Sequence, residues 1–168
     1  MQHILRLLAI LPLACASSAT AAPDTATKPA PAPHGDACRP GGGVLFEIDH
    51  RVDPGAKLAT SATKVFTSGA WTHDATDGDG KAAAQRAGCI TKPDLKQLEA
   101  ALHGAPWKVN VSRVHCMAVT AQFTVFQVDG KPVFTQRLCS GTSLDDKSQA
   151  ALDAATKLVE GEVGKTPP

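Results

Sequence analysis

The sequence predicts an α+β protein, with an antiparallel sheet of about five strands and two α-helices on one face, in the order ββαββα. Three observations support this prediction. Residues 44–52 alternate between apolar and charged side chains, as a half-buried strand does. Asp129-Gly130 separates two β-rich stretches, which indicates a hairpin. Two stretches with leucines and alanines at helical spacing follow capping residues.

The chain begins with a segment typical of export. Residues 7–14 are apolar but too few to span a bilayer, so we interpret residues 1–21 as a signal peptide. Two processing routes stay open. Residues 19–21, Ala-Thr-Ala, fit ordinary cleavage, whereas the residues up to Cys15 resemble a bacterial lipobox in which this cysteine is lipidated. Pro12 stands where a good lipobox has leucine, which favours ordinary cleavage.

The rest of the chain is predicted to contain one folded domain. Residues 22–37 hold four prolines and no periodic apolar residues, so we interpret them as an extended linker. Residues 38–161 have the length of a single α+β domain, and residues 162–168 are expected to form a flexible tail. The formal net charge is +1 and Arg6 alone supplies it, so no basic surface points to nucleic acid as a partner.

The first half of the domain is predicted to hold a strand, a hairpin and a helix. The alternating strand 44–52 is followed by strands at about 62–67 and 70–73, joined by the turn Ser68-Gly69. The glycine-rich residues 77–80 are expected to break the sheet. A helix from about Lys92 to His103 follows, with Thr91 as its N-cap.

The second half is predicted to repeat this plan. Strands at 121–128 and 132–138 flank Asp129-Gly130, and a two-residue loop would place Phe126 opposite Val133. Because both faces of this hairpin carry apolar side chains, we expect it to lie centrally in the sheet. Ser143 is the expected N-cap of the last helix.

Cysteine usage points to an oxidising compartment. Cys15 belongs to the export segment, and an even set of four remains for a disulfide-stapled domain: Cys38, Cys89, Cys116 and Cys139. Three pairings are possible, of which we favour Cys38 with Cys89 and Cys116 with Cys139, because each keeps a bridge within one half. The second bridge would close a loop of about 24 residues and stabilise the fold by about 3 kcal/mol.

The order of elements between residues 44 and 159, with its Val-x-Gly hairpins, resembles that of emfourin-type domains and of other exported bacterial domains with a hairpin-helix-hairpin-helix plan. Emfourins are small secreted inhibitors of metalloproteases. The resemblance implies a protease-inhibitor function and transfers no binding residue. The cysteines depart from the emfourin pattern.

The sequence carries no recognisable enzyme or cofactor motif. We therefore expect a non-enzymatic protein without cofactor or metal. Residues 77–80 match the middle of an EF-hand loop, but Ala75 and Arg86 stand where the first and twelfth ligands belong, so we favour an acidic surface loop. His50 and His73 would face each other across neighbouring strands in a zinc site, and we favour two ordinary strand histidines.

Two functional hypotheses remain. In the first, a secreted or periplasmic domain binds a protein, with proteases as the leading target, through residues 74–88 or 104–111. Trp71 is a candidate partner contact because it lies beside a turn, although burial in the core is the competing interpretation for it and for Trp107. In the second, the protein is an envelope-associated structural lipoprotein, attached to the membrane only if Cys15 is lipidated.

Overall fold

The computed structural model describes residues 39–114 and 120–165. The protein has an α+β fold with a six-stranded antiparallel sheet, a separate two-stranded sheet and two helices. Along the chain the elements are β1 (Val44–Val52), β2 (Thr60–Phe66), β3 (Ala70–Thr76), β4 (Ala82–Cys89), α1 (Lys92–Gly104), β5 (Val109–Val111), β6 (Gln122–Val128), β7 (Lys131–Arg137), β8 (Thr142–Leu144) and α2 (Asp146–Lys165).

The order of strands in the main sheet is β4-β3-β2-β1-β6-β7, and β5 pairs with β8 in the small sheet. The predicted order ββαββα was wrong in its strand count, because four strands precede α1. Residues 77–80 do not break the sheet. They form the turn of a β3–β4 hairpin, closed by a 2.9 Å hydrogen bond from the Asp77 amide to the Lys81 carbonyl.

The core lies between the main sheet and the helices. Phe46, Val65, Trp71 and Phe126 point to one face of the sheet, as their cross-strand pairing requires. They join one buried cluster with side chains from both helices: Leu98 and Leu102 of α1, and Leu152, Ala155 and Val159 of α2. Both helices therefore pack on this face.

The opposite face of the main sheet carries ion pairs. Lys64 approaches Glu47, and Arg51 pairs with Asp49. At the end of the sheet, Arg137 of β7 makes two hydrogen bonds of 2.6 and 2.9 Å to Asp53 and lies over the ring of Phe123. The hydrogen bonds and charge of Arg137 lower the pKa of Asp53 below its ordinary value.

The second hairpin has the predicted turn and a different register. Asp129 and Gly130 have φ of 51° and 70°, as a two-residue hairpin loop requires. A bulge in the β6–β7 pairing shifts the register, so Phe126 lies opposite Phe134 rather than Val133. The expected central position was also wrong, since β7 is an edge strand of the main sheet.

Local capping sets the helix boundaries. Thr91 accepts a hydrogen bond from the Asp94 amide and caps α1, as predicted. Ser143 lies in β8 and does not cap α2; instead Asp145 accepts a 2.7 Å hydrogen bond from the Ser148 amide. This bond lowers the pKa of Asp145. α2 continues to Lys165, past the boundary at which the sequence predicted a flexible tail.

Candidate functional site

Trp71 is not available to a partner. Its side chain is only 2% exposed and belongs to the central core cluster. Gly88, directly opposite on β4, leaves room for the indole: a Cβ at Gly88 would lie 2.7 Å from the ring. The prediction of Trp71 as a partner contact was therefore wrong, because a bulky side chain on the helix-facing side of β3 is needed to fill the core.

Trp107 packs partly buried against the same core. Its indole Nε1–H donates a 3.0 Å hydrogen bond to the carbonyl of Leu102, at the end of α1. This bond uses one of the carbonyls that a helix end leaves without an intrahelical partner. Trp107 thus anchors the chain between α1 and β5.

The EF-hand-like residues form a hairpin turn. The carboxylate of Asp77 accepts hydrogen bonds from the amides of Asp79 and Lys81, at 2.9 and 3.0 Å. Asp79 approaches Lys57 at 3.7 Å. The acidic oxygens therefore hold the turn together, which is the ordinary role of aspartate in such loops.

The two strand histidines share a face of the sheet but are not neighbours. His50 lies on β1 and His73 on β3, with β2 between them. Glu47 and Asp49, the carboxylates considered for a zinc site, alternate onto the opposite face. Within residues 39–114 and 120–165, no group of three or more His, Cys, Asp or Glu side chains is arranged to hold a metal ion.

Cys89 and Cys139 are both disulfide-bonded. Cys89 ends β4, and Cys139 follows β7 with a φ of 65°. Cys38, Cys116 and the candidate lipidation site Cys15 lie outside the described residues. The pairing of the cysteines therefore stays a prediction.

Exposed aliphatic side chains are concentrated in one region. Of the large hydrophobic residues exposed in the described ranges, all except Leu58 lie on two segments, residues 109–114 and residue 138. We call these four residues the aliphatic patch: Val109 (45% exposed), Val111 (82%), Val114 (50%) and Leu138 (66%). Concentrated apolar exposure of this kind is typical of interaction surfaces.

Hydrogen bonds join the first segment to residues 141–144, the stretch that follows Leu138. β5 pairs with β8, with Val111 opposite Thr142. Beyond the strand, the Ser112 amide donates a 2.7 Å hydrogen bond to the Gly141 carbonyl. Gly141 has a φ of +68°, and a Cβ there would lie 2.5 Å from the Ser112 carbonyl oxygen and 3.0 Å from the Val114 side chain. Only glycine allows this close approach.

Residues at the start of α2 hydrogen-bond to Lys108, the residue that precedes β5. The Asp145 amide donates to the Lys108 carbonyl at 3.0 Å, and the Lys108 amide donates to the hydroxyl of Ser148 at 3.3 Å. Ser148 is completely buried. β5 is thus held at both ends by main-chain and buried hydroxyl contacts, although all three of its residues are exposed.

A groove lies beside the aliphatic patch. It has a volume of about 440 Å³, and Val109, Val133 and Thr142 contribute to its walls along the edge strand β7. Lys108 and Arg113 flank the patch, and both are exposed. The region thus combines an apolar centre, an adjacent groove and a basic rim.

The sequence located this region only in part. Residues 104–111 were predicted as a candidate binding segment, and they contain Val109 and Val111. Leu138 was missed, because a leucine at the end of a predicted strand normally indicates a core residue. Residues 74–88, the other candidate segment, form most of the β3–β4 hairpin.

Among the described residues, neither helix has the length and apolar content needed to cross a membrane. No protein-family model, curated protein or solved structure matches this chain.

Proposed function

We propose that this protein is an exported, non-enzymatic domain that binds another protein through the aliphatic patch. The observation that carries the proposal is the grouping of three exposed valines, Val109, Val111 and Val114, on one short segment that is hydrogen-bonded to the residues following the exposed Leu138. Isolated exposed apolar residues are normal on protein surfaces. A concentrated group of them lowers solubility unless a binding partner covers it. Val111 is the most exposed of the four and is the expected anchor.

The chemistry of the region defines the partner. An apolar centre requires an apolar surface on the partner, and exposed Lys108 and Arg113 favour acidic groups around it. Secreted or periplasmic proteases are the leading target class, which comes from the emfourin resemblance alone.

Disulfide bonds would hold this surface in its binding conformation. We propose the pairs Cys38–Cys89 and Cys116–Cys139. The first is supported by the neighbours of these residues: the Arg39 carbonyl accepts a 3.0 Å hydrogen bond from Ser68, two residues before Ala70, which lies opposite Cys89. The second pair is supported by the hydrogen bond between Ser112 and Gly141. Ser112 precedes Cys116 by four residues, and Gly141 follows Cys139 by two.

Export is part of the proposal, by either of two routes. If the signal peptide is cleaved after Ala21, the domain is secreted or periplasmic; if Cys15 is lipidated, residues 22–37 become a tether at the membrane. Intact mass spectrometry of the exported protein, with and without reduction, distinguishes these routes and counts the disulfide bonds. The structural-lipoprotein alternative predicts a lipidated Cys15 and no protein partner.

A pull-down tests the binding function. The oxidised protein is immobilised and exposed to culture supernatant or periplasmic extract, and retained proteins are identified and tested for protease activity. Substituting Val111→Lys places a charge in the centre of the aliphatic patch, and we expect it to weaken binding of the retained partner by about tenfold or more.

Leu58→Lys is the matched control, because Leu58 is also an exposed aliphatic residue but lies outside the patch. It should bind as the wild-type protein does. Equal binding by wild type, V111K and L58K would contradict the assignment of the patch, and the absence of any specific partner would contradict the binding function itself.

A further inference from the structure

The outer edge of β7 is open to the groove that lies beside the aliphatic patch. β7 pairs with β6 on one side, and in the described parts of the chain no strand pairs with its other side. An edge strand presents main-chain N–H and C=O groups that can pair with another extended chain. The groove, of about 440 Å³, is lined by most of β7 and by Val109 of β5.

Hydrogen bonds within the sheet identify which residues of β6 face β7. In an antiparallel pair, residues alternate between facing the partner strand and facing away from it. The Asp53 amide donates to the Ala121 carbonyl at 2.8 Å, and the Asp129 amide donates at 3.0 Å to the carbonyl of Leu45. Both bonds continue the β1–β6 register, so the odd-numbered residues of β6 face β1. Its even-numbered residues therefore face β7.

The same alternation assigns the main chain of β7. The even-numbered residues of β6 lie opposite Phe134 and Gln136, which therefore face β6. Thr135 and Arg137 must then face the open edge, and both line the groove. The Arg137 carbonyl accepts a 3.2 Å hydrogen bond from the Ser140 amide, beyond the strand, which agrees with this assignment. The Thr135 amide and carbonyl and the Arg137 amide are left facing outwards.

The start of β7 is protected against pairing, whereas its second half is not. Pro132 has no N–H to donate, and the bulge in the β6–β7 pairing interrupts the ladder at Val133. Lys131 adds an exposed charge. Proline, lysine and bulges are the features that keep an edge strand from pairing indiscriminately. The edge at residues 135–137 is therefore suited to a short added strand.

The groove is apolar and its surroundings are basic. Val109 and Val133 line it, and no carboxylate does so among the described residues. Lys131 directly precedes Pro132 of the groove wall, Lys108 directly precedes Val109, and both lysines are exposed. Complementary charge favours an occupant that carries acidic residues beside its apolar ones.

Two segments that this protein could itself supply fit the edge less well. Residues 22–37 contain four prolines, and proline cannot supply the donors that a strand pair needs. A second copy that paired through its own β7 would bring the same lysines to the interface, so like charges would meet. A different protein, with acidic residues, matches the edge better.

We propose that β7 binds a short extended segment of the protein partner as an additional strand, through main-chain hydrogen bonds at Thr135 and Arg137. Strand addition takes its affinity from main-chain hydrogen bonds and its selectivity from contacts with alternate side chains. Apolar side chains of the segment contact Val109 and Val133, and its acidic residues lie near Lys131. The proposal rests on the protein-binding function and specifies how the partner is held.

A phage-displayed library of random peptides of about ten residues is the probe for this site. The library is selected on the immobilised wild-type protein, and the affinities of enriched peptides are measured after synthesis. Thr135→Pro removes an outward amide without removing a bond of the β6–β7 ladder, and it should weaken peptide binding by about tenfold. Enriched peptides should alternate apolar residues and carry acidic residues beside them.

Ala87→Pro is the matched control, because it places proline on the other edge strand, β4. The Ile90 amide donates to the Gly69 carbonyl at 2.8 Å, so the even-numbered residues of β4 face β3 and Ala87 faces outwards. Ala87 is exposed, as Thr135 is, and does not line the groove. A87P should bind the selected peptides as the wild-type protein does.

Amide hydrogen exchange of the wild-type protein gives a second measurement, which does not require T135P to fold. In the free protein the amides of Thr135 and Arg137 should exchange rapidly, and a bound peptide should slow both. The Gln136 amide faces β6 and should be protected in both states. An occupant held by apolar side chains alone would not produce this alternation.

The outcomes separate strand addition from the protein-binding function. Equal affinities of T135P and A87P, unchanged exchange at Thr135, or a selection that enriches no peptide would overturn strand addition. A dimer of the free wild-type protein that T135P abolishes would identify a second copy as the occupant and overturn it too. If V111K weakens binding of the pull-down partner and T135P does not, the protein-binding function stands and only strand addition is lost.

Discussion

Gly141 is the residue on which the geometry of the aliphatic patch depends most directly. Gly141 has a positive φ, which L side chains rarely adopt. A Cβ atom at this residue would lie 2.5 Å from the Ser112 carbonyl oxygen, so there is no space for a side chain. A glycine in the short connection between β7 and β8 gives no such indication by itself, because the clash involves Ser112, almost 30 residues earlier in the chain. The role of Gly141 could therefore be found only from the structure.

Substituting Gly141→Ala should displace β5 from β8. The matched control is Gly130→Ala, because Gly130 has nearly the same φ, +70°, but no atom within 4 Å of its Cβ position. Both variants incur the cost of a positive φ, about 1 kcal/mol, and only G141A adds the steric clash, about 2 kcal/mol more. Chemical denaturation measures the difference; equal losses of unfolding free energy would show that the clash is relieved without cost.

His73 makes the stability of the fold sensitive to mild acid. Its pKa lies below the ordinary value of 6.5, mainly because burial disfavours the charged ring. Below that pH the unfolded chain binds more protons than the folded protein, so the free energy of unfolding decreases as the pH falls, until the folded state also protonates. The lowered pKa values of Asp53 and Asp145 act in a separate, more acidic range, near and below 3.8.

His73→Gln should remove this sensitivity. Urea unfolding at pH 7.5 and pH 5, in a buffer without oxyanions, should show a smaller loss of stability for H73Q than for the wild-type protein. His103→Gln serves as the control, because His103 is exposed and interacts with Asp129 at the surface. The same pH dependence in wild type and H73Q would contradict this assignment.

Among the elements, α1 and the second hairpin were the most predictable from sequence. Thr91, Pro93 and Gly104 mark the ends of α1. Asp129-Gly130 marks the turn of the second hairpin. Both signals are visible in the sequence because capping and turn chemistry act over a few residues. β4 was missed because residues 82–89 are rich in alanine and glycine and show no apolar alternation. This strand pairs with β3 so that Gly88 lies against the Trp71 indole, which is a tertiary requirement.

The cap of α1 provides a test at this scale. Thr91→Ala removes the side-chain acceptor of the Asp94 amide and should lower the free energy of unfolding by about 1 kcal/mol. Thr91→Ser keeps the hydroxyl and should retain most of the stability. Thermal denaturation followed by circular dichroism compares the variants, and an equal loss in T91A and T91S would show that the hydroxyl does not act as a cap.

At the scale of the whole molecule, the fold divides its surface by chemistry. The small β5–β8 sheet and the turn after β7 present the aliphatic patch, whereas the face of the main sheet opposite the helices carries ion pairs. The sequence predicted the α+β class, a protein-binding function and one candidate segment that contains Val109 and Val111, but it could not predict the complete surfaces. Each surface is built from residues of several strands, and their proximity depends on strand order rather than on local spacing.

Inhibition kinetics test the central claim most directly. The oxidised protein is titrated into each protease retained in the pull-down, alongside V111K and L58K, and residual activity is measured at protein concentrations near that of the protease. We predict a stoichiometric loss of activity with the wild-type protein and L58K, and an apparent inhibition constant raised by about tenfold or more for V111K. Full protease activity with the wild-type protein, or equal inhibition by all three proteins, would contradict the account.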